Sequence, residues 1–469
     1  MIEKKTYLII AILVVLISGY VFIANNIGKE QNRFLQNIKY LIPVQLKEFV
    51  KENIFIYQYK EKLEKKIISQ NNRIRKMNEQ IENVFEYSYA YKFSNTSTEQ
   101  INFENNLLTL KKFTFSPLKY TGPRSYIQFY DNNLFLINGN GILMFTPKKN
   151  IIKDNFIFYK IDTNLINKIN QNKEELIGVK DFLLSDDKVF VSFLSKKNDS
   201  CFYNSIFVGD LALEKINFEK FFSTNECRKE ATPSSGGNLS DYKDNKILLT
   251  IGDYYCYEKS NSEFCKKNLP QSLKSFMGKI ISIDKSTKEH NILSIGHRNS
   301  QGLFYDEVNN IILSTDHGPE GGDEINLNLT PDNKIKNYGW PISSYGEHYE
   351  GPNLKEKYEI APLQKSHANY GFVEPLKYFT PALGISQIIK TNNFVDKENY
   401  EIFVGSLGFV LDEGDLSLHL IILNENFEVL KTNVIPVYER VRDIEFINEL
   451  DTLVLFLETS GSILTISKN

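Results

Sequence analysis

Histidine is scarce in this chain of 469 residues: there are six, and none precedes His290. A site built from the earlier half of the chain therefore has no imidazole of its own. The four cysteines form no CxxC pair and no Cys/His pair at zinc-ligand spacing, which argues against a structural zinc. Charge of one sign is not in excess. Lys and Arg total 55 against 58 Asp and Glu, a formal net charge of -3, so the concentrated basic surface that phosphate binding needs is not indicated. No repeat of fixed period is visible. What the chain does have is Tyr (26) and Phe (33), set against a single Trp. With 42% hydrophobic residues there is material for a sizeable core, and the aromatic bias favours strands.

Three regions follow from the pattern. Residues 1–28 form a cytoplasmic tip and an anchor: Tyr7 to Ala24 is an unbroken apolar run of about 18 residues, near the minimum for a membrane-spanning helix. Lys4 and Lys5 precede it, which places the N-terminus inside the cytoplasmic membrane and the remainder outside, in the periplasm or its equivalent. The competing reading, a cleaved signal peptide, wants small residues at the exit, and Phe22-Ile23-Ala24 suits that poorly. Residues 29–104 form a helical spacer. Ile56, Leu63, Gln70, Met77 and Val84 make one heptad seam and Ile67, Ile74 and Ile81 the other, so the helix pairs with a second copy, making a homo-oligomer, or lies against the next domain. Pro43 separates it from a shorter helix after the membrane.

Residues 105–469 are all-β. Runs such as LLTLKKFTF, SYIQFY, NLFLING, KILLTIGD, NIILSTD, YEIFVGSL and TLVLFLE alternate with breaks rich in Asn, Asp, Gly and Ser. So many short strands without a linker exceed one sandwich and suit a propeller. Beyond the anchor, an oxidising compartment is expected. There the short loops favour disulfides Cys201–Cys227 and Cys256–Cys265 among three possible pairings, with four buried thiols as the alternative.

Gly296 to Tyr345 reads GHRNSQGLFYDEVNNIILSTDHGPEGGDEINLNLTPDNKIKNYGWPISSY. This composite of GHRN-QGL, an HGP turn, GGDEIN and NYGWP resembles the signature of the glucose/sorbosone dehydrogenases, the quinoprotein sugar (aldose) dehydrogenases. Weaker matches flank it, SSGGNL…KILLTIGD from Ser234 to Asp253 and GSL…ERVRD from Gly405 to Asp443. The resemblance implies a six-bladed β-propeller with a polar site at the mouth of its channel, holding pyrroloquinoline quinone (PQQ) and Ca2+ and acting on a sugar. It assigns cofactor contacts to Arg298, Asn299, His317, Arg440 and Arg442, and calcium to the backbone carbonyls of Gly318 and Pro319. The chemistry agrees. Planar guanidinium forks suit the carboxylates of a quinone that gains negative charge, and calcium wants oxygen donors, which Asp323 and Glu324 would also supply. Read without the resemblance, Arg440 and Arg442 are edge-strand side chains paired to Glu439 or Asp443, Trp340 fills the core, and His297 is a structural hydrogen-bonder.

The chain departs from the family where the proton is removed. The family's base histidine is replaced by Ser234, the arginine after it by Asn238, and the lysine after GSL by Gly408. A serine hydroxyl does not serve as a base at neutral pH. Asp253 matches the acid that orients the missing base and is a candidate base itself if burial raises its pKa. Two functions are left open: a quinone-dependent sugar dehydrogenase with an altered base, or a non-catalytic propeller that binds a sugar, a glycan or a partner protein.

Overall fold

A computed structural model describes residues 90–115, 124–165, 175–198, 201–228, 234–259, 267–332, 334–350 and 354–468. The expected anchor and heptad helix lie outside these residues. Among the described residues no helix is long and apolar enough to cross a membrane.

The described chain is a six-bladed β-propeller. Six innermost strands, Ser125–Tyr130, Glu175–Ser185, Gly236–Tyr242, Ser300–Asp306, Ile385–Thr391 and Val441–Ile447, each touch the next, and the last returns to the first. Behind each, antiparallel neighbours run outward to complete a blade. The ring closes by exchange of strands. In the sixth blade Ser462–Lys468 pairs with Asn106–Thr114, which in turn pairs with Ser94–Phe103. In the first blade Ile157–Lys160 pairs with Ala90–Lys92.

These last strands correct the expected boundary at residue 105: the propeller already includes Ala90–Lys92 and Ser94–Phe103. The second of these, SNTSTEQINF, is mostly exposed as the outermost strand of its sheet. A strand that buries neither face carries no apolar alternation, so hydrophobic periodicity gives no sign of it.

Middle strands of the blades show the opposite pattern. Thr452–Leu457 and Ser417–Leu423 are buried along their whole length, because neighbouring blades cover both faces. Their sequences, TLVLFL and SLHLIIL, are accordingly near-continuous apolar runs rather than alternating ones. The core divides into apolar clusters set between blades. One holds Phe135 and Ile137 of the first blade with Val189 and Val191 of the second. Another holds Leu108 and Leu110 of the closing strand with Phe403 and Leu420 of the fifth blade and Leu455 of the sixth.

Hairpin turns set the register. Glu104–Asn105, Asp131–Asn132 and Asp186–Asp187 are two-residue loops with both φ values positive. That is the turn whose twist matches paired strands, and the left-handed region tolerates Asn and Asp best among residues with a side chain. The innermost strands are also fastened to one another by side chains. Asp181 accepts the Leu239 amide (2.8 Å), Gln387 the Leu303 amide (3.1 Å), Asp443 the Ile127 amide (2.7 Å) and Gln128 the Leu184 amide (2.7 Å). Asp181, Gln387, Asp443 and Gln128 line a cavity of about 580 Å³ in the channel, together with Asp306 and Lys390.

Candidate active site

Asp253 lies two residues beyond the strand Lys246–Ile251, at a turn in which Tyr254 and Tyr255 both hold positive φ (59° and 56°). The turn is stitched on two sides, the Asp253 amide to the Arg298 carbonyl and the Tyr254 amide to the Ser234 carbonyl, each at 2.8 Å. This brings Ser234 onto the carboxylate: Ser234 Oγ donates to Asp253 Oδ1 at 3.0 Å. The Tyr255 amide donates to the same oxygen (2.9 Å), and Trp340 Nε1 donates to Oδ2 (2.9 Å). Burial pushes the Asp253 carboxyl up to about 6, against the pull of Arg298 and these three hydrogen bonds. Asp253 and Ser234 are both 0% exposed, so the pair is closed to solvent.

Arg298 lies between two rings, its guanidinium 5.5 Å from Trp340 and 5.6 Å from Tyr255, and donates to the His317 carbonyl (3.0 Å). The segment around it is organised by Asp316, which accepts from the Arg298 and Asn299 amides and from His297 Nδ1. His297 donates or accepts at Ser294 Oγ through its other nitrogen (2.7 Å) and is fully buried, as a structural hydrogen-bonder would be. Trp340 does pack into a core cluster, and it also orients Asp253. Asn299 Oδ1 accepts from Gln301 and the Gly236 amide, tying the HRN segment to the SSGGNL segment.

His317 contacts the Ile385 carbonyl through Nε2 (2.5 Å), and desolvation holds its pKa below the usual imidazole range. At the next residue a Cβ would collide with the Gly321 and Gly322 carbonyls, so the turn requires Gly318. The Gly318 amide donates to Asp323 Oδ1 (2.8 Å) and the Ile385 amide to Asp323 Oδ2 (2.9 Å). Glu324 is paired with His367 (3.2 Å). Asp323 and Glu324, expected as further oxygen donors for calcium, thus both have structural partners. Among the described residues no group of three His, Cys, Asp or Glu side chains could hold a metal. Calcium at this turn would rest on the main-chain carbonyls of Gly318 and Pro319, and the Pro319 carbonyl also accepts from Tyr349 Oη (3.1 Å).

Arg440 and Arg442 meet, but not at the partners a local reading suggests. Both pair with Glu458, Arg440 through Nη1 (3.0 Å) and Arg442 through Nε. Glu439 instead pairs with Lys112, and Asp443 accepts main-chain amides. Burial alone would raise the Glu458 pKa; Arg442, Arg440 and Arg124 override it and hold the carboxyl below its ordinary range. Arg442 Nη1 also donates to Gln301 Oε1 (3.3 Å) and Arg440 Nε to the Leu407 carbonyl (2.7 Å). Two guanidiniums on one carboxylate leave net positive charge at the start of the sixth blade, and Arg124, at the start of the first, adds to it. A polycarboxylate such as PQQ fits that balance.

A family model described as glucose / sorbosone dehydrogenase matches residues 175–465. The chain belongs to the glucose/sorbosone dehydrogenase family. It is 30% identical over 246 residues to an uncharacterised protein of Synechocystis, covering 49% of this chain and 55% of that protein. It is 29% identical over 187 residues to aldose sugar dehydrogenase YliI of Escherichia coli, covering 39% and 46% respectively. The chain thus spans about half the length of these curated relatives. The soluble aldose sugar dehydrogenase of Escherichia coli, solved in its apo form, shares the fold with a TM-score of 0.57 at 19% identity, over 74% of this chain and 97% of that one.

Several residues of this family member's site are not singled out by sequence reading: Glu458 and Arg124 beside the two arginines, and Asp316 beneath the HRN segment. The cysteine pairing is in line with expectation as far as it is described. Cys201 and Cys227 form a disulfide, and Cys256 is also disulfide-bonded, while its expected partner Cys265 lies outside the described residues.

Proposed function

We propose that this protein binds an anionic quinone, PQQ, at the channel mouth through Arg298, Asn299, His317, Arg440 and Arg442, and that it oxidises aldoses to lactones slowly at best. The observation that carries this reading is the shared pairing of Arg440 and Arg442 on Glu458, which leaves cationic charge for a ligand carboxylate to neutralise. Calcium would be held by the Gly318 and Pro319 carbonyls.

Oxidising the anomeric carbon removes a hydride and the hydroxyl proton. The quinone would supply the hydride acceptor, and the chain must supply the proton acceptor. Ser234 does not take a proton by itself. It can pass one to Asp253, whose carboxyl at about 6 is ionised at neutral pH. That route requires the closed Ser234–Asp253 pair to open toward the substrate. Complete burial of the pair favours the second reading, a quinone- or sugar-binding propeller without turnover.

The propeller is presented outside the cytoplasmic membrane by the apolar run Tyr7 to Ala24, and the heptad seams after it join it to a second copy. The Lys4-Lys5 pair and the Cys201–Cys227 disulfide, a bond of oxidising compartments, support the placement.

The test is to load the full chain with calcium and PQQ, remove excess, and follow quinone absorbance and dye reduction by aldoses. Retained absorbance with slow or absent reduction is expected. Failure to retain quinone, with Arg442→Gln behaving as wild type, overturns the reading. Protease added to spheroplasts should digest the propeller, and full protection would refute the orientation.

A further inference from the structure

Six Tyr or Phe rings are exposed among the described residues, and four of them, Tyr349, Tyr378, Phe409 and Tyr438, border the candidate site. Phe409, 75% exposed, lies over the Arg440 guanidinium at 4.6 Å, and Tyr438 stands two residues before Arg440. Tyr349 donates to the Pro319 carbonyl (3.1 Å). Tyr378 pairs across its sheet with Glu324, and its ring lies parallel to that of Tyr345, at 3.8 Å and 5°. Tyr345 is itself fixed. His367 stacks on it (5.3 Å), its hydroxyl donates to Glu374 (2.7 Å), and Gly346 after it packs against Gly321 and Gly322 of the turn that begins at Gly318. Tyr378, the outer ring of this stack, is 48% exposed. The turn Thr380–Gly384 joins the two groups of rings. It follows the strand that carries Tyr378, and its Leu383 carbonyl accepts the Leu407 and Gly408 amides (3.3 and 2.8 Å), which hold the loop carrying Phe409. Phe379 meets His419 just beyond that loop (5.7 Å). The rings thus form one rim, running from the fourth blade through the fifth to the start of the sixth.

We propose that this rim holds a neutral oligosaccharide, so that the substrate is the aldose end of a glycan chain and not a free monosaccharide. This rests on the preceding reading, which puts an aldose at the mouth, and names what extends from it. The chemistry of the rim selects a sugar over other occupants. A pyranose has faces made of C–H groups, which lie on an aromatic ring, and an edge of hydroxyls, which need polar partners. Exposed tyrosines supply an apolar face and a polar tip together. Rings already held by their neighbours, as Tyr378 is by Tyr345 and Phe409 by Arg440, lose little freedom when a ligand stacks on them. Carboxylates stand beside both groups: Glu374 accepts from Tyr345, and Asp412 and Glu413 follow Phe409-Val410-Leu411 directly. They accept hydrogen bonds from hydroxyls. They also repel anionic lipid headgroups and nucleic-acid phosphates, which call for clustered Lys and Arg instead.

The experiment is calorimetric titration of the full-length protein, without quinone, with cellotetraose, maltotetraose, xylotetraose and chitotetraose, each against its own monosaccharide. At least one tetraose should bind about tenfold or more tightly than its monosaccharide, because stacking contacts are added. Tyr378→Ala and Phe409→Ala should each lower that affinity by about fivefold, the scale of one aromatic contact, and Tyr378→Phe, which keeps the ring, should retain it. Tyr159→Ala removes an exposed ring on an outer strand of the first blade and should change nothing. If no tetraose exceeds its monosaccharide, or if Tyr378→Ala and Phe409→Ala melt and bind as wild type, the inference is refuted. No tetraose preference together with reduced self-association of the two variants in sedimentation would assign the rim to a second copy of this chain, and refutes it as well. Quinone retention, measured separately, keeps the two readings apart. Tetraose binding by a protein that retains no quinone upholds the rim and overturns the quinone site, whereas quinone retained with no tetraose preference overturns the rim alone.

Discussion

Replacing Glu458 by Gln tests the electrostatics of the site most directly. The carboxylate is 4% exposed and joins Arg442, which is 6% exposed, to Arg440, whose side chain is 24% exposed. Glutamine keeps the shape and one acceptor oxygen but removes the carboxylate charge that pairs with both guanidiniums. Breaking a buried ion pair from one side typically costs about 3–5 kcal/mol, because the remaining charge is left uncompensated. Arg440 is partly hydrated and recovers some of that, so we expect Glu458→Gln to lose about 2–4 kcal/mol in urea denaturation at pH 7. The pH dependence has a definite sign. A carboxyl held below its ordinary pKa in the fold contributes stability that is present above about 4.5 and is lost as pH falls through the folded value. The difference between wild type and variant should therefore shrink in acid. A tricarboxylate ligand, by supplying the missing charge, should raise the melting temperature of the variant more than that of wild type. A loss below about 1 kcal/mol, or equal ligand stabilisation of both proteins, would refute the charge balance on which the anion site rests.

Other outcomes follow from the same geometry. Ser234→His places an imidazole beside Asp253 and should raise quinone-dependent aldose oxidation, a positioned base being worth about 10²–10⁴-fold; quinone retained with no gain in rate would show that the lost base is not what limits turnover. Calcium alone should barely shift the melting temperature, because no carboxylate cluster stands ready for it among the described residues, whereas calcium with PQQ should shift it clearly. A large shift with calcium alone would reveal donors other than the two carbonyls. Removing the Cys201–Cys227 disulfide, whose cysteines are 26 apart in sequence, should cost roughly 3.5 kcal/mol by loop entropy, measured as Cys201→Ser/Cys227→Ser against wild type in urea. Equal stability of the two would show that the unfolded chain is not restrained by that loop.

The strands after residue 105 were legible because middle strands buried on both faces are written as apolar runs and the breaks between them use Asn, Asp and Gly. Ser94–Phe103 was not, since an exposed outer strand needs no apolar residue. At the site, Arg298, Asn299 and Ser234 were legible through the resemblance to the family signature, and the structure does bring Ser234 to Asp253. The partners were harder. Glu458 lies across a hairpin from Arg440 and Arg442, so neighbours in sequence, Glu439 and Asp443, look like better candidates until the pairing of Val441–Ile447 with Thr452–Leu457 is known. Lys180 and Asp181 did leave a signal: two adjacent charges interrupt the otherwise apolar strand ELIGVKDFLLS. A charge placed inside a buried run needs a reason, and Asp181 has one in the Leu239 and Phe182 amides it accepts.

A serine rather than a histidine at position 234 is compatible with an intact propeller because the ring is held by other groups. The side chains that fasten one innermost strand to the next, Gln128, Asp181, Gln387 and Asp443, bind main-chain amides of the neighbouring blade and lie on the cavity side of the channel. Ser234 is not among them, so a serine there changes which protons the mouth can handle without loosening the blades, whereas Asn238 does tie its strand to the next through the Gln301 carbonyl. Asp253 is the exception: its three donors, on Ser234, Tyr255 and Trp340, make it part of the scaffold as well as a candidate base. Retention of an aspartate there is explained by the unpaired buried donors its removal would leave, and so is not by itself evidence that the chemistry survives. Evidence for chemistry has to come from a group whose only role is at the mouth. Arg440, partly exposed and stacked on the exposed ring of Phe409 at 4.6 Å, comes nearest to that description.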